Sequence, residues 1–191
     1  MPTVKVNRVL VGAETFTAAD RQDVADAIAL MRTIMLGIGL HLEFDLFKMS
    51  VAEAGRFVTI TSFADAEALT HRVQAGRFGT VDMFIVKKMT GGAVGWSPVG
   101  GSCDKRDKGM TGIVVSLEGG SARLDKARAA FRGNTFAHEL GHYLGLSHAS
   151  CADPTMSANF MLGGKGCSSG ANTGITGAQQ AIMRSHCSVQ P

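Results

Sequence analysis

Within a chain of 191 residues, His138, Glu139, His142, Gly145 and His148 form the pattern H-E-x-x-H-x-x-G-x-x-H. Two histidines four apart share one face of an α-helix, one turn from each other. Both imidazoles can reach a single metal ion from there. Glu139 sits one step around the helix, close enough to touch a water on that metal without ligating it. Glycine tolerates the left-handed backbone of a helix exit, so Gly145 ends the helix and turns the chain. His148 can then return as a third ligand. Three neutral nitrogen ligands leave zinc one open tetrahedral position, which is the catalytic pattern and not the closed structural one. An ordinary helix with two buried histidines would account for H-x-x-x-H alone. It would not account for the glutamate, the glycine and the third histidine together.

Other elements must hold this helix in place. Residues 4–11 are valine-rich and read as a strand. Thr17 to Asp20 is a capping box, followed by Val24, Ile28, Met31, Met35 and Ile38 at helical spacing, which predicts a helix over 18–36. Residues 40–46 alternate, with Leu40, Leu42, Phe44 and Leu46 on one side and His41, Glu43 and Asp45 on the other, as in a half-buried strand. Phe57 to Thr61 reads as a strand. Asp65 would cap a short helix carrying Leu69 and Val73, with His71 on its surface. Val81 to Lys88 reads as a central strand, and 111–117 as another. Residues 122–131 predict a short helix, after which Asn134 or Thr135 would cap the motif helix over 135–145. Phe136, Leu140, Tyr143 and Leu144 fall on the face away from the ligands and should pack in the core. Thr176 to Gln179 is a second capping box, starting a helix to about His186, where the helix dipole favours a cation. Strands interleaved with helices predict a sheet with helices packed against it.

The Gly-rich stretch Gly91 to Gly101 contains the only Trp, and Pro98 within it rules out a central strand but permits an edge. It is either an exposed edge with free backbone groups or a long flexible loop. Trp96 lines a side-chain pocket or covers the core; the residue pattern leaves both open.

The composition fits one globular, loop-rich domain: 45% hydrophobic, 18% charged, 24 glycines. The net charge of +3 is scattered, and no basic stripe with interleaved aromatics argues for nucleic-acid binding. No apolar run is long enough to span a bilayer. The N-terminus has no signal-peptide anatomy, so either the protein starts inside a cell or a leader has been removed. The four cysteines, Cys103, Cys151, Cys167 and Cys187, suggest disulfides in any of three pairings, with free buried thiols as the alternative. They lack C-x-x-C spacing, which argues against a second zinc site.

The histidine motif resembles that of the metzincin zinc metallopeptidases, whose signature continues to a Met-turn. The resemblance implies an α+β (α/β-like) catalytic domain: a twisted mixed sheet with two long helices over residues 1–148, and a small loop-rich C-terminal subdomain with one helix over 149–191. It implies one catalytic Zn2+ on His138, His142 and His148. It also implies a Met-turn at Met161, in Asn159-Phe160-Met161, with Met156 as the runner-up. Several bacterial metzincins carry a similar Asn-x-Met followed by a capped helix with Gln. Ala149 follows the third histidine where several families carry a diagnostic residue, so no subfamily is assigned. Metzincins are mostly secreted, which implies an extracytoplasmic protein; the alternatives are a cytoplasmic one or an effector exported without a classical signal. In that setting two disulfides are expected, Cys151–Cys167 local and Cys103–Cys187 tying the subdomains together.

The function implied is that of a monomeric, secreted zinc metalloendopeptidase hydrolysing peptide bonds. A zinc-bound water would attack the carbonyl, with Glu139 as general base and then acid. Its polypeptide substrate would lie antiparallel to an edge formed by Gly92, Ala93, Val94, Gly95, Trp96 and Ser97. Two other readings are a catalytically silent, zinc-stabilised binding module and a metal hydrolase of a non-peptide amide. Retention of Glu139 argues against the first, and the extended edge against the second.

Overall fold

The computed structural model describes residues 1–72, 78–90, 93–118, 125–153, 156–163 and 173–191. Strand β1 (Thr3–Val11) feeds helix α1 (Ala18–Gly37), which crosses over to β2 (His41–Met49). Strands β1 and β2 are parallel neighbours, as a helical crossover of this length requires. Helix α2 (Val51–Ala54), the two-residue strand β3 (Thr59–Ile60) and α3 (Phe63–Arg72) follow. Strands β4 (Val81–Met89), β5 (Gly95–Trp96) and β6 (Gly112–Glu118) come next, then α4 (Asp125–Tyr143), α5 (Gly177–Ser185) and β7 (Val189–Gln190). The sheet order is β2-β1-β4-β6-β5, with β3 also on β4 and β7 also on β1. The first four strands of that order run parallel, while β5 is antiparallel to β6 at the opposite edge from β2.

Alternation along the central strands sorts two cores. Met83, Ile85, Ile113 and Val115 face α1 and α4, joining Met31, Met35, Phe136 and Leu140. Phe84, Val86 and Val114 face the other way, against Phe57, Ile60, Ala66 and Leu69 around α2 and α3. Phe160, Met161, Leu162 and Met183, from the C-terminal segment, complete the first core. Tertiary structure therefore covers both faces of a mixed sheet, the α+β arrangement the sequence implied.

Several local expectations change. Residues 57–61 are not one strand: Gly55–Val58 is a 3-10 turn that buries Phe57, and only Thr59–Ile60 pairs, with β4. At the start of α3, Ser62 Oγ accepts from the Asp65 amide, 3.1 Å away. Asp65 itself turns back to accept from the Thr61 amide, so Ser62 and not Asp65 is the cap. Val73, expected on the same helix, lies outside the described residues. In β2 the alternation lapses after Phe44. Leu46 is 51% exposed, on a strand at the edge of the sheet.

The main correction concerns α4. The expected break between a helix over 122–131 and a motif helix over 135–145 does not exist: one helix runs Asp125–Tyr143. Gly133, inside that helix, acts in packing. A Cβ there would stand 2.6 Å from Leu30 Cβ of α1, so glycine lets the two helices cross closely. Thr135 is no cap; its hydroxyl donates to the Phe131 carbonyl one turn back. Arg132, buried beside it, donates to the Leu117 carbonyl at the end of β6 and pairs with Asp23 of α1. At the other end of the molecule, Gln180 of α5 donates to the Ile38 carbonyl, and Arg184 reaches the carbonyls of Ile38 and Gly39. These side chains satisfy carbonyls that the end of α1 leaves unpaired.

Candidate metal centre and cleft

Helix α4 ends directly below its last ligand-type residue. The amide of Gly145 donates to the His142 carbonyl, and that of Leu146 to the Gly141 carbonyl, each at 2.9 Å. Gly145 has φ of 100°, so this is a Schellman exit that only glycine enters without strain. Gly100 and Gly101 donate to the carbonyls of His142 and Tyr143, closing the helix end from the neighbouring loop. The Tyr143 ring packs over Gly101, where a Cβ would overlap it, and its hydroxyl donates to the Ser102 carbonyl at 2.6 Å. Tyr143 is thus a packing residue, and burial pushes its phenol well above the usual range.

The turn brings His148 back to His138 and His142, with one ring nitrogen from each within 4.8 Å of the others. Ring nitrogens on one tetrahedral zinc, at 2.0–2.1 Å from it, stand about 3.3 Å apart. The Nε2 atoms of His138 and His148 are 3.1 Å apart. His138 Nδ1 donates to the Phe160 carbonyl at 2.9 Å and His142 Nδ1 to the Leu146 carbonyl at 2.6 Å. Each bond fixes the tautomer and leaves Nε2 bearing its lone pair toward the common point. Burial lowers the pKa of both rings, that of His142 to about 4, so both are neutral and able to ligate at pH 7. The donor set fits zinc with one position open.

Glu139 is 7% exposed, and burial pushes its carboxyl up to about 8. A divalent cation beside it would draw the carboxyl back toward ionisation. Its side chain lies against Gly95 of β5, where a Cβ would stand 2.3 Å from Glu139 Oε1. Thus the motif glutamate and the antiparallel edge of the sheet meet through a missing side chain. Val94 remains paired to β6, its carbonyl accepting from Ser116. Trp96, one residue on, turns to the opposite face and packs on the α3 core with Ala93. It covers that core. Only Gly95 and Trp96 form ladder pairs here, Ser97 and Pro98 continue outside the strand, and Gly92 lies outside the described residues.

Met161 is fully buried beneath α4, and a Cβ at Gly141 would meet its Sδ at 2.4 Å. Glycine between the two helical histidines therefore gives the methionine its place. Met156 is only partly buried, at the margin of that core. The segment after His148 pairs with this floor: Ala149 donates to the Met161 carbonyl, and the Gly163 backbone packs on the His148 ring. The contacts of Gly95, Gly141 and Gly163 were not anticipated from sequence, where a glycine's neighbours leave no local signal.

A second cluster, Cys103, His186 and Cys187, also lies within ligand distance. Its sulfurs are spent in the Cys103–Cys187 disulfide. His186 Nε2 donates to the Gly101 carbonyl, and Nδ1 accepts from the Ser188 amide. Both ring nitrogens are occupied and burial lowers the pKa, so His186 is a structural residue, held neutral although the helix end would favour a cation. Cys151 is disulfide-bonded as well, and Cys167 lies outside the described residues.

The family model described as Metallo-peptidase family M12 (Reprolysin_5) matches residues 50–190. No curated protein matches the sequence as a relative. Among solved structures, the chain superposes on metalloproteinase-II from Bacteroides fragilis with a TM-score of 0.62 at 11% identity, covering 95% of this chain and 52% of that one. Archaemetzincin from Methanopyrus kandleri superposes with a TM-score of 0.57 at 13% identity, covering 95% of this chain and 94% of that one. The chain spans about half the length of the Bacteroides enzyme. By the family match across the motif, and with a fold like that of metzincin zinc metallopeptidases, the chain belongs to metallopeptidase family M12.

Proposed function

We propose that the chain is a zinc-dependent endopeptidase. The observation that carries this reading is the convergence of three imidazole nitrogens beside a buried glutamate that lies against an antiparallel edge strand. His138, His142 and His148 would hold the ion, the first two oriented by their backbone carbonyl partners. Zinc there supplies Lewis acidity toward a carbonyl oxygen and toward water. Glu139 accepts the water's proton and delivers it to the leaving amine, work worth about 10^2 to 10^4 in rate. Its near-complete burial keeps that proton from exchanging with bulk water before delivery. Met161 provides an apolar floor and no ligand.

The substrate is an extended polypeptide. Strand β5 ends the sheet order, so among the described residues one side of it has no strand partner, and Gly95 on it lies against the glutamate. A peptide adding antiparallel to that side gains main-chain hydrogen bonds regardless of sequence. The Cys103–Cys187 disulfide supports an extracytoplasmic home, since such bonds persist in oxidising compartments.

The test is digestion of a mixed library of peptides blocked at both ends, with and without chelator. Internal cleavage that stops on chelation and returns with zinc is expected. Glu139→Gln should retain about one zinc per chain and lose turnover by the factor above. Near-normal turnover in that variant would remove Glu139 from its role. Zinc binding without any cleavage would favour the silent module, and hydrolysis confined to non-peptide amides the other alternative.

A further inference from the structure

The peptide group between Phe160 and Met161 is held at both ends. Its carbonyl accepts from His138 Nδ1 at 2.9 Å, and its amide donates to Asn159 Oδ1, also at 2.9 Å. Asn159 is 3% exposed, and its own carbonyl accepts from the Leu162 amide. Its side-chain Nδ2 donates to Gln179 Oε1 at 2.6 Å, with Met156 Sδ as a second, weaker acceptor at 3.4 Å. Gln179 Oε1 in turn accepts from the Thr176 amide, closing the capping box of α5. A continuous chain of bonds thus runs from the N-terminus of the last helix, through Asn159 and one peptide plane, to a histidine of the metal centre. Donation at the amide and acceptance at the carbonyl of one peptide polarise each other, so each bond strengthens the next.

We propose that Asn159, held by Gln179, is the positioning residue that sets the His138 ring and thereby the metal affinity, making α5 part of the metal site. The proposal rests on the zinc reading above. Asn159 touches neither metal nor substrate. It fixes the carbonyl that fixes the tautomer of His138. Loss of such an outer partner weakens metal binding by about 10- to 100-fold. The capping role of Gln179 and its role toward Asn159 are separable, because Thr176→Ala removes the hydroxyl of the box and leaves the Gln179 oxygen in place.

The experiment is zinc affinity by competition with a chromophoric chelator, on the wild type and four variants. Asn159→Ala and Gln179→Leu should each weaken zinc about 10- to 100-fold. Gln179→Glu keeps an acceptor and should stay within about 3-fold of wild type. Thr176→Ala should do the same, although it lowers stability. Asn159→Asp keeps the acceptor toward Met161 and should fall between; it also serves if Asn159→Ala does not fold. Wild-type affinity in Gln179→Leu, or an equal loss in Thr176→Ala, would overturn the proposal, the second result assigning the effect to helix stability alone. A wild type that binds no zinc would instead overturn the peptidase reading.

Discussion

Glycine 95 does by omission what no side chain could do at that position. Glu139 needs a dry place beside an open strand, and the missing Cβ supplies it. In Gly95→Ala the added methyl would stand within 3 Å of Oε1, Cδ and Cγ of Glu139, so the whole carboxyl end must move. The expected result is kcat reduced at least 10-fold with zinc content and KM little changed, because a small misplacement of a reacting group is costly. Equal kcat in the variant would show that Glu139 has room to spare. His186 gives the second prediction at this scale. Its pKa in the folded protein lies below the ordinary 6.5, because burial disfavours the charged ring. Between those two values the unfolded chain binds the extra proton and the folded one does not, so its contribution to stability falls as pH drops below about 6.5. Between pH 7 and 5 the zinc-loaded wild type should lose Tm more steeply than His186→Gln. Parallel slopes would mean that the ring titrates alike in both states.

At the level of elements, α1 and α4 carry the architecture of the site. Their crossing at Gly133 and Leu30 sets how deeply the ligand-bearing helix seats on the sheet. Gly133→Ala improves helix propensity by about 1 kcal/mol. It also drives a methyl into a Cβ, an atom that no rotamer can move, and overpacking of this kind costs about 1–3 kcal/mol. A net loss of about 1 kcal/mol in urea unfolding is expected. A gain would show that the helices separate freely and that the close approach is incidental.

The whole molecule is closed by its C-terminus. Strand β7 pairs with β1 at the start of the chain. The disulfide joins Cys103, in the loop that closes the end of α4, to Cys187 just after α5, across 84 residues. Removing a cross-link over a loop of that length costs about 3–5 kcal/mol in the chain-entropy account. Cys103→Ser with Cys187→Ser should lower stability by that amount, measured by denaturant unfolding. Unfolding without reductant should release no free thiols. Four titratable thiols in that sample would count against both the cross-link and the extracytoplasmic placement.

Much of the site is local in sequence. The spacing of His138, Glu139 and His142 on one helical face is a property of 3.6 residues per turn, and the Gly145 exit is a property of one backbone angle. The capping boxes at Thr17 and Thr176 bond neighbours three residues apart, so they too are legible without a fold. A continuous apolar run sufficed for β4, where both faces are covered, while alternation failed along β2, where burial depends on whether another element lies above the strand. What the sequence could not supply were contacts between residues distant in the chain: Gly133 against Leu30, Gly95 against Glu139, and Asn159 between Gln179 and His138. Local propensity reports only the cost of Gly133 in a helix. Tertiary packing sets that cost against the gain of bringing two helices together. Only the folded chain holds the second term.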